Sequence, residues 1–346
     1  MNAQTAELKP EVAAHCVVCG GVGAGRELVC SEAELRAQTE YLRAFHRRRL
    51  RRSGGRRRDQ PLADRAEFTQ DYTTDVVACL GCGLVLRDHR PSADHVLDAY
   101  KQDEYGRARL TALFEAQLQA GRGKARQLRR YLPSQRRPVV IEVGSFVGGF
   151  LAAAQELGWD AVGLDPGAEV GEFCRAKGLR VHRSAAAAAP IDAGAGDCVA
   201  IWNTFDQLPD PRPTLTAARR WLRPGGLLAV RVPNGAVFRA AMRLRRRLPF
   251  DAPLLTALAW NNLLGFPYLY GYSAGPLDRL LAEFGFARRA LWPDTLVRLA
   301  DRQTATWAAW EERSIKAVWH ALAQFAPDIA PWFDAYYIRS DGVASA

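Results

Sequence analysis

The second half of the chain alternates short apolar runs with segments of helical periodicity. The apolar runs are VVIEV (139–143), DAVGL (160–164), LRVH (179–182), DCVAIW (197–202) and GGLLAVRV (225–232). Apolar runs of about four to eight residues, separated by amphipathic helices, are typical of parallel strands joined by right-handed crossovers. From about residue 110 onward, the pattern therefore predicts an α/β fold with a doubly wound, mostly parallel sheet.

Periodic segments also flank this region. Residues 31–52, SEAELRAQTEYLRAFHRRRLRR, predict a helix capped by Ser31, with a partial apolar stripe at Leu35, Leu42, Phe45 and Leu50. Beyond a helix that ends near residue 286, ARRALW and TLVRLA around PD predict a final hairpin. From Gln303 the aromatic residues recur at helical spacing, which predicts a helical tail that packs.

Two cysteine pairs stand in the N-terminal part of the chain, in CVVCGG (16–21) and CLGCGL (79–84). Each CxxCG predicts a tight turn in which two thiolates face one point and the following glycine permits the bend. Four sulfurs form a closed tetrahedral site, which is typical of structural zinc. We expect the ligands to be Cys16, Cys19, Cys79 and Cys82, with Cys30 and His15 as possible substitutes. The alternative is two unrelated cysteine pairs in a reduced core.

Charge and composition restrict the partners. The net charge of the 346 residues is +10, and residues 43–58, RAFHRRRLRRSGGRRR, hold nine arginines and no acid. This segment is either an exposed helix end and loop or a grip for an anionic ligand. No run approaches ~18 apolar residues, so we expect no membrane partner. Seven cysteines, two of the pairs spaced as CxxC, and a start without signal-peptide order favour a cytoplasmic protein.

The stretch VVIEVGSFVGGF (139–150) predicts a strand that runs into a glycine loop. In the dinucleotide motif GxGxxG, the second glycine lets the backbone approach a pyrophosphate. In that register this loop has Gly144, Phe146 and Gly149, so a benzyl group stands where the phosphate would come close. S-adenosylmethionine has no phosphate and needs an acid near its amino group and a carboxylate on its ribose. Glu142 and Asp165 fit these two roles, so the loop favours S-adenosylmethionine.

Six segments follow the order of a known family. They are CGLVLRDHRPS, VIEVGSFVGGF, VGLDP, NTFDQLPDP, WLRPGGLLAVRVPN and PYLYGYSAGPLDRLLAEFGF. Together with the CxxC pairs, they resemble class I S-adenosylmethionine-dependent methyltransferases that carry an N-terminal zinc ribbon. Some members of that group act on nucleotide-linked sugars and other small metabolites. The resemblance extends from about Cys16 to Phe286 and implies a Rossmann-like fold with a seven-stranded sheet.

The resemblance also implies site residues. The cofactor positions of the family match Glu142, Gly144, Ser145, Gly148, Asp165, Asn203 and Thr204. The chain departs from the family pattern in two places. In the loop, Phe146 replaces a glycine, and the residues that the family uses for catalysis also differ. The frequent Glu-His pair after the fourth strand is Asp206-Gln207 here, and Tyr268 and Gly271 replace a histidine and a tyrosine.

The catalytic candidates are therefore Asp206, Gln207, Tyr270 and Tyr272. A proton acceptor helps when the attacking atom carries a proton of high pKa. We expect Asp206 to be a helix-capping or solvated carboxylate, and the tyrosines to line the pocket. In-line methyl transfer needs mainly alignment and exclusion of water.

These observations predict three regions. Residues 1–109 form a zinc ribbon with an arginine-rich helical insert at about 31–60, residues 110–302 form the cofactor-binding domain with a cap at 236–273, and residues 303–346 form a helical tail. The predicted function is methyl transfer to a small-molecule substrate, expected to be anionic, such as a nucleotide-linked sugar or another secondary metabolite. The alternatives are a nucleic-acid methyltransferase and a non-catalytic S-adenosylmethionine-binding protein. Inside the arginine run only Phe45 is aromatic, which disfavours nucleic acid.

Overall fold

The computed structural model describes residues 15–21, 25–51, 74–90, 105–294, 298–300 and 304–340, together with residues 92, 96, 98 and 100. The chain divides into two compact units, each built from three segments. The first unit comprises Met1–Pro91, Pro233–Leu277 and Trp292–Phe333, and the second comprises Ser92–Val232, Asp278–Leu291 and Asp334–Ala346.

The regular elements follow the chain in this order. They are β1 (Arg26–Cys30), α1 (Glu32–Arg49), β2 (Val76–Cys79), β3 (Val85–Arg87), α2 (Arg107–Leu128), β4 (Val139–Val143), α3 (Gly149–Glu156), β5 (Asp160–Leu164), α4 (Ala168–Ala176), β6 (Arg180–His182), β7 (Gly196–Trp202), α5 (Arg212–Trp221), β8 (Leu222–Pro233), α6 (Gly235–Arg245), α7 (Ala252–Trp260), β9 (Tyr270–Gly271), α8 (Ala274–Glu283), β10 (Phe286–Asp294), α9 (Thr306–Phe325) and β11 (Trp332–Arg339). No helix of the described ranges is long and apolar enough to cross a membrane.

A seven-stranded sheet confirms the predicted α/β fold. Its strand order is β10-β11-β8-β7-β4-β5-β6, and the neighbouring pairs from β8 to β6 are parallel. The strands β4 and β5 cover the predicted runs 139–143 and 160–164 residue for residue. Parallel strands are covered on both faces, which explains why these runs are continuously apolar rather than alternating.

The C-terminal prediction was partly wrong. The tail holds the predicted helix, α9, but it continues into β11, which lies inside the sheet between β10 and β8. Strand β10 includes the PD dipeptide and pairs with β11, whereas the prediction placed TLVRLA beside it as the second arm of a hairpin. Of that second arm, residues 298–300 are not in a strand, and residues 295–297 lie outside the described residues.

The first unit contains a smaller, four-stranded sheet of order β1-β2-β3-β9, whose neighbouring strands are antiparallel. Its core joins α1, α6, α7 and the segment 263–268 through Leu35, Phe45, Phe238, Trp260 and Phe266. Pairing of β9 with β3 draws residues 233–277 into this unit. The segment 236–273, which the sequence predicts as a cap of the cofactor-binding domain, therefore belongs to the first unit.

Helix α1 forms as predicted, with a complete capping box. The Ser31 side chain accepts from the N–H of Glu34, and the Glu34 side chain accepts from the N–H of Ser31 at 2.8 Å. Leu35, Leu42 and Phe45 are buried along one face. The helix ends at Arg49 rather than at Arg52, and the remainder of the predicted insert, residues 52–60, lies outside the described residues.

Candidate functional site

The glycine loop of the second unit lies at the carboxyl end of β4. The N–H groups of Gly144 and Ser145 both donate to the carbonyl of Leu164, the last residue of β5, at 2.8 and 3.1 Å. Gly144 has φ +73, and a Cβ at this position would lie 2.9 Å from the Cβ of Thr204. At Gly148, with φ +75, a Cβ would lie 2.5 Å from Leu179. Both glycines are thus required by local packing and backbone conformation.

The loop encloses an acid that has no counter-charge. Glu142 is buried at the end of β4, and its Oε2 atom has no hydrogen-bond partner among the described residues. The hydroxyl of Ser145 is also buried and also has no hydrogen-bond partner among the described residues. Burial, and to a smaller extent the negative charge of Asp165, raises the pKa of Glu142 well above its usual range. A carboxyl group in this position favours a cationic ligand.

Asp165 fixes the shape of the loop. Its carboxylate accepts one hydrogen bond from the N–H of Phe146 at 2.8 Å and another from the N–H of Gly167 at 3.0 Å. The carboxylate is buried, at the carboxyl end of β5 where the sequence predicts the ribose-binding acid. Each oxygen has a further lone pair, so the two backbone bonds do not prevent it from accepting from a ribose hydroxyl.

A side chain of helix α2 caps the N-terminus of α3, a contact that the sequence motifs did not predict. The N–H of Gly149, the first residue of α3, donates to the side-chain carbonyl of Gln117 at 2.8 Å. A dinucleotide fold presents such N–H groups to a pyrophosphate. Here a neutral side chain accepts from the group instead, which supports the sequence argument against a dinucleotide.

Tyr105 is a second residue that sequence reasoning missed. Its ring meets the ring of Phe146 edge-on, with centroids 5.3 Å apart, and its N–H donates to Glu169 at 2.6 Å. Gln117 and Tyr105 stand 25 and 37 residues before Glu142, outside any motif, so nothing in the sequence indicated them.

The end of β7 supplies the other predicted cofactor positions. Asn203 follows the strand directly with φ +55, a conformation that asparagine tolerates better than most residues. Its side-chain oxygen accepts a hydrogen bond from Arg231, a buried arginine of β8. A lone arginine in the apolar strand LLAVRVP was the available sequence signal, and it was missed.

The catalytic candidates fall in different units. Asp206 and Gln207 are buried in a short 3-10 turn (Phe205–Gln207) that follows Thr204 in the second unit. The burial of Asp206 excludes the solvated carboxylate that the sequence suggested, and its turn carries no side-chain cap. Tyr270 and Tyr272 are buried in the first unit, where Arg90 donates to the hydroxyl of Tyr270.

The structure brings the two cysteine pairs together in the first unit. The Sγ atoms of Cys16, Cys19, Cys79 and Cys82 all lie within 4.8 Å of one another. Two of these sulfur pairs, Cys16–Cys82 and Cys19–Cys79, are 3.5 Å apart. Four sulfurs at about 2.3 Å from a tetrahedral zinc ion would be separated by about 3.8 Å, so the donor set fits zinc.

The backbone of each pair adopts the predicted knuckle. Gly20 and Gly83, the glycines that follow the second cysteines, have φ +71 and +83. The N–H groups of these glycines donate to the carbonyls of Cys16 and Cys79 at 2.8 and 2.7 Å. The hydrogen bond between Cys16 and Cys82 lowers the pKa of the Cys16 thiol and raises that of Cys82, because the two neighbouring sulfurs share one proton.

The two proposed substitute ligands do not join this cluster. Burial raises the pKa of Cys30 to about 12, and its sulfur accepts from the Gln38 side chain at 3.2 Å. The carbonyl of His15 accepts from Arg90 at 3.1 Å. Among the described residues, only the four CxxC cysteines group as a metal-ligand set.

Several solved structures are similar to this chain. A structure from Thermotoga maritima, described as an S-adenosylmethionine-dependent methyltransferase and possible histamine N-methyltransferase, is 16% identical over 66% of this chain and 89% of its own, with a TM-score of 0.41. A geranyl diphosphate C-methyltransferase from Streptomyces coelicolor A3(2) is 16% identical over 63% and 75%, with a TM-score of 0.41. A methyltransferase from Archaeoglobus fulgidus is 17% identical over 64% and 94%, with a TM-score of 0.42.

These similarities are too low to transfer a substrate, and a search of curated proteins gives no match. A family model described as a methyltransferase domain matches residues 114–291, which is just over half of the chain. The matched region contains the glycine loop, Asp165 and the β7 end described above. The chain therefore belongs to this methyltransferase family and is an S-adenosylmethionine-dependent methyltransferase.

Proposed function

We propose that the second unit binds S-adenosylmethionine at the carboxyl ends of β4, β5 and β7 and directs its methyl group to a small molecule. The observation that carries this proposal is the buried carboxyl of Glu142, whose Oε2 lacks a hydrogen-bond partner among the described residues. Leaving a buried acid without a partner is costly in free energy. A ligand with an ammonium and a sulfonium group supplies a positively charged partner for this carboxyl.

Each residue of the site has a distinct part in this proposal. The carboxyl of Glu142 and the hydroxyl of Ser145 hold the amino-acid end of the cofactor. Asp165 accepts from the ribose hydroxyls while it keeps the N–H of Phe146 in place. Asn203 and Thr204 line the cofactor and the substrate. When bound, S-adenosylmethionine supplies the methyl group on a positively charged sulfur.

The protein's further contribution is alignment and exclusion of water. Asp206 and Gln207 are buried just after Thr204, which supports a position beside the transferred methyl group. Neither is proposed as an essential base. Tyr270 and Tyr272, which lie in the first unit, are not proposed to accept a proton.

The proposed substrate is a small anionic metabolite, with nucleotide-linked sugars as the first class to examine. The buried guanidinium of Arg231 supports this choice, because it bonds Asn203 and brings positive charge to the same edge of the sheet. An arginine fork matches phosphate and carboxylate geometry.

We also propose that Cys16, Cys19, Cys79 and Cys82 bind one structural zinc ion. The four sulfurs leave no open coordination position, so the ion stabilises the first unit and does not take part in methyl transfer.

A transfer experiment tests the proposed reaction. The protein is incubated with methyl-labelled S-adenosylmethionine and a fractionated small-molecule extract, and in a parallel reaction with added RNA and DNA. Label is followed by mass spectrometry. We expect label in an anionic small molecule, and loss of that label with Glu142→Gln but not with the exposed control Glu156→Gln. Label that enters only added RNA or DNA would contradict the choice of substrate class.

A further inference from the structure

Helix α9 packs with its charged residues inward. Glu312 and Lys316 are only 1% and 5% exposed, and the Lys316 Nζ donates to Glu312 at 2.5 Å. The Glu312 carboxylate also accepts from the N–H groups of Leu299 and Ala300, at 2.6 and 2.9 Å. The inward-facing charges of α9 are therefore paired and hydrogen-bonded. These polar contacts determine which face of the helix packs against the rest of the first unit.

The opposite face of α9 exposes large apolar side chains. They are Trp307 (56% exposed), Trp310 (61%), Val318 (62%), Leu322 (53%) and Phe325 (90%). Their spacings of 3, 8, 4 and 3 residues keep them on one side of a helix of 20 residues, which is about 30 Å long. We call these five residues the apolar stripe. An exposed stripe of this length, on a helix that buries charge, indicates a binding surface.

The arginine-rich end of α1 adjoins the start of this stripe. Arg49 forms two hydrogen bonds with Glu311 at 2.7 and 3.0 Å, and its guanidinium carbon lies 5.5 Å from the centre of the Trp307 ring. The carbonyl of Arg49 accepts from the N–H of Ala305 at 2.7 Å, and Arg51 donates to the carbonyl of Thr304 at 3.0 Å. The exposed arginines in the last two turns of α1 and just beyond its end are Arg43, Arg47, Arg48 and Arg51.

The composition of the combined surface selects its partner. Peripheral helices that lie in the headgroup region of an anionic bilayer combine exposed tryptophan, phenylalanine and leucine with neighbouring arginine. A nucleic acid could stack bases on the aromatic residues of the stripe, but it would gain nothing from the aliphatic Val318 and Leu322, which an acyl-chain boundary accommodates. A second copy of the chain would cover the stripe but would add arginines to a surface that already has an excess of them.

We propose that the apolar stripe of α9 and the exposed arginines at the end of α1 bind the surface of a bilayer that contains anionic phospholipid. The apolar side chains enter the boundary between headgroups and acyl chains, and the guanidinium groups contact lipid phosphates. This is attachment to one face of a bilayer, so it needs no spanning helix. It departs from the sequence-based expectation of no membrane partner, which rested only on the absence of a run long enough to cross a bilayer.

The test is co-sedimentation of the full chain with large vesicles. One set contains three parts phosphatidylcholine to one part phosphatidylglycerol, and the other contains phosphatidylcholine alone. We expect binding to the anionic vesicles at ~100 mM salt, and weaker binding at ~500 mM salt because counterions screen the arginines. Binding to the neutral vesicles is expected to be weaker at both salt concentrations.

Matched variants separate the two parts of the surface. Trp310→Ser with Phe325→Ser is expected to lower the partition coefficient by about tenfold per residue on both vesicle types. Phe250→Ser removes a phenylalanine that is 70% exposed elsewhere in the first unit, and it is expected to change nothing. Arg47→Gln with Arg48→Gln is expected to cost about 25-fold on anionic vesicles only. The control pair Arg126→Gln with Arg129→Gln, at exposed positions in the last turn of α2 and directly after it, is expected to keep the binding.

Thermal unfolding of each variant is the control for folding. Because all substituted side chains are exposed, we expect unchanged melting temperatures, which would show that the fold is intact. The proposal is overturned if the wild-type chain stays in the supernatant with anionic vesicles, or if the stripe variant binds as tightly as the wild type. It is also overturned if the wild-type chain does not bind vesicles but forms a dimer in sedimentation velocity, and the stripe variant is a monomer. RNA binding that the arginine variant abolishes, with no vesicle binding, would equally contradict it.

Discussion

Phe146 keeps a backbone conformation that is usually left to glycine. Its φ is +47, which costs roughly 1–2 kcal/mol for a residue with a Cβ. Three contacts hold it there: its N–H donates to Asp165, its carbonyl accepts from Cys174 at 3.2 Å, and its ring packs on Tyr105. The loop therefore keeps the backbone turn of a glycine motif, although an aromatic side chain stands at the glycine position.

The burial of Glu142 predicts a trade between stability and binding. Because its folded pKa is raised, the folded protein keeps this carboxyl protonated while the unfolded chain ionises, so the stability falls as the pH rises from the unfolded pKa towards the folded one. Glu142→Gln should therefore raise the melting temperature of the ligand-free protein at neutral pH, with no gain below about pH 4, where the unfolded carboxyl is also protonated. Thermal unfolding from acid to mildly alkaline pH measures this difference.

The same substitution should weaken S-adenosylmethionine binding by about 10- to 150-fold, because a charge-assisted hydrogen bond is worth ~1.5–3 kcal/mol. Glu156→Gln serves as the control, since Glu156 is exposed and pairs with Arg122. A Glu142→Gln protein that is less stable than the wild type at neutral pH would contradict the assignment of an unpaired buried acid.

Asp206 is expected to be dispensable for proton transfer. We predict that Asp206→Asn retains measurable turnover on the true substrate, since the substitution keeps the buried shape of the side chain. The measurement is single-turnover kinetics with cofactor saturation verified by calorimetry. A loss of several orders of magnitude with intact cofactor affinity would identify Asp206 as the base.

At the level of strands and helices, the sequence predicted the centre of the sheet well and its C-terminal edge poorly. The runs at β4, β5 and β7 are short, apolar and bounded by turn residues, so their type and limits could be read directly. The strand β11, WFDAYYIR, was missed because its first six residues are all buried and show no alternation. Burial on both faces removes the period of two that distinguishes a strand from a helix of similar composition.

One ion pair links β11 to helix α2 within the second unit. Lys124 donates to Asp334 at 2.5 Å, and the Asp334 side chain is only 2% exposed. Lys124→Met would leave this carboxylate buried without its counter-charge, so we expect a loss of about 3 kcal/mol or more in the free energy of unfolding. Urea denaturation measures it, with the exposed Lys177→Met as control. A change below about 1 kcal/mol would show that the pair is not important to the sheet.

The cysteine knuckles were predicted from spacing alone, because a CxxCG turn is a local feature. Cys82→Ser should remove zinc and lower the melting temperature, since metal binding contributes directly to the folding of such modules. Metal analysis of protein purified without chelator measures the content, and Cys30→Ser, outside the cluster, should retain one zinc per chain. Well under one zinc per chain in the wild type would refute the zinc proposal.

For the molecule as a whole, the domain boundaries were the part that the sequence could least reveal. Each unit is assembled from three separated segments, and residues 233–277 join the first unit through the short strand β9 and through the apolar core that they share with α1. A two-residue strand has no sequence signal of its own. The division also assigns different work to each unit: the first carries the cysteine cluster and the arginine-rich end of α1, and the second carries the predicted cofactor residues.

The central claim is that the second unit binds S-adenosylmethionine and does not bind dinucleotides. Titration calorimetry of the purified chain with S-adenosylmethionine, and separately with NAD, tests it most directly. We predict binding of S-adenosylmethionine alone, weakened about 10- to 150-fold by Asp165→Ala, which removes a carboxylate bonded to the loop. Absence of S-adenosylmethionine binding, equal binding of NAD, or an unchanged affinity in Asp165→Ala would contradict it.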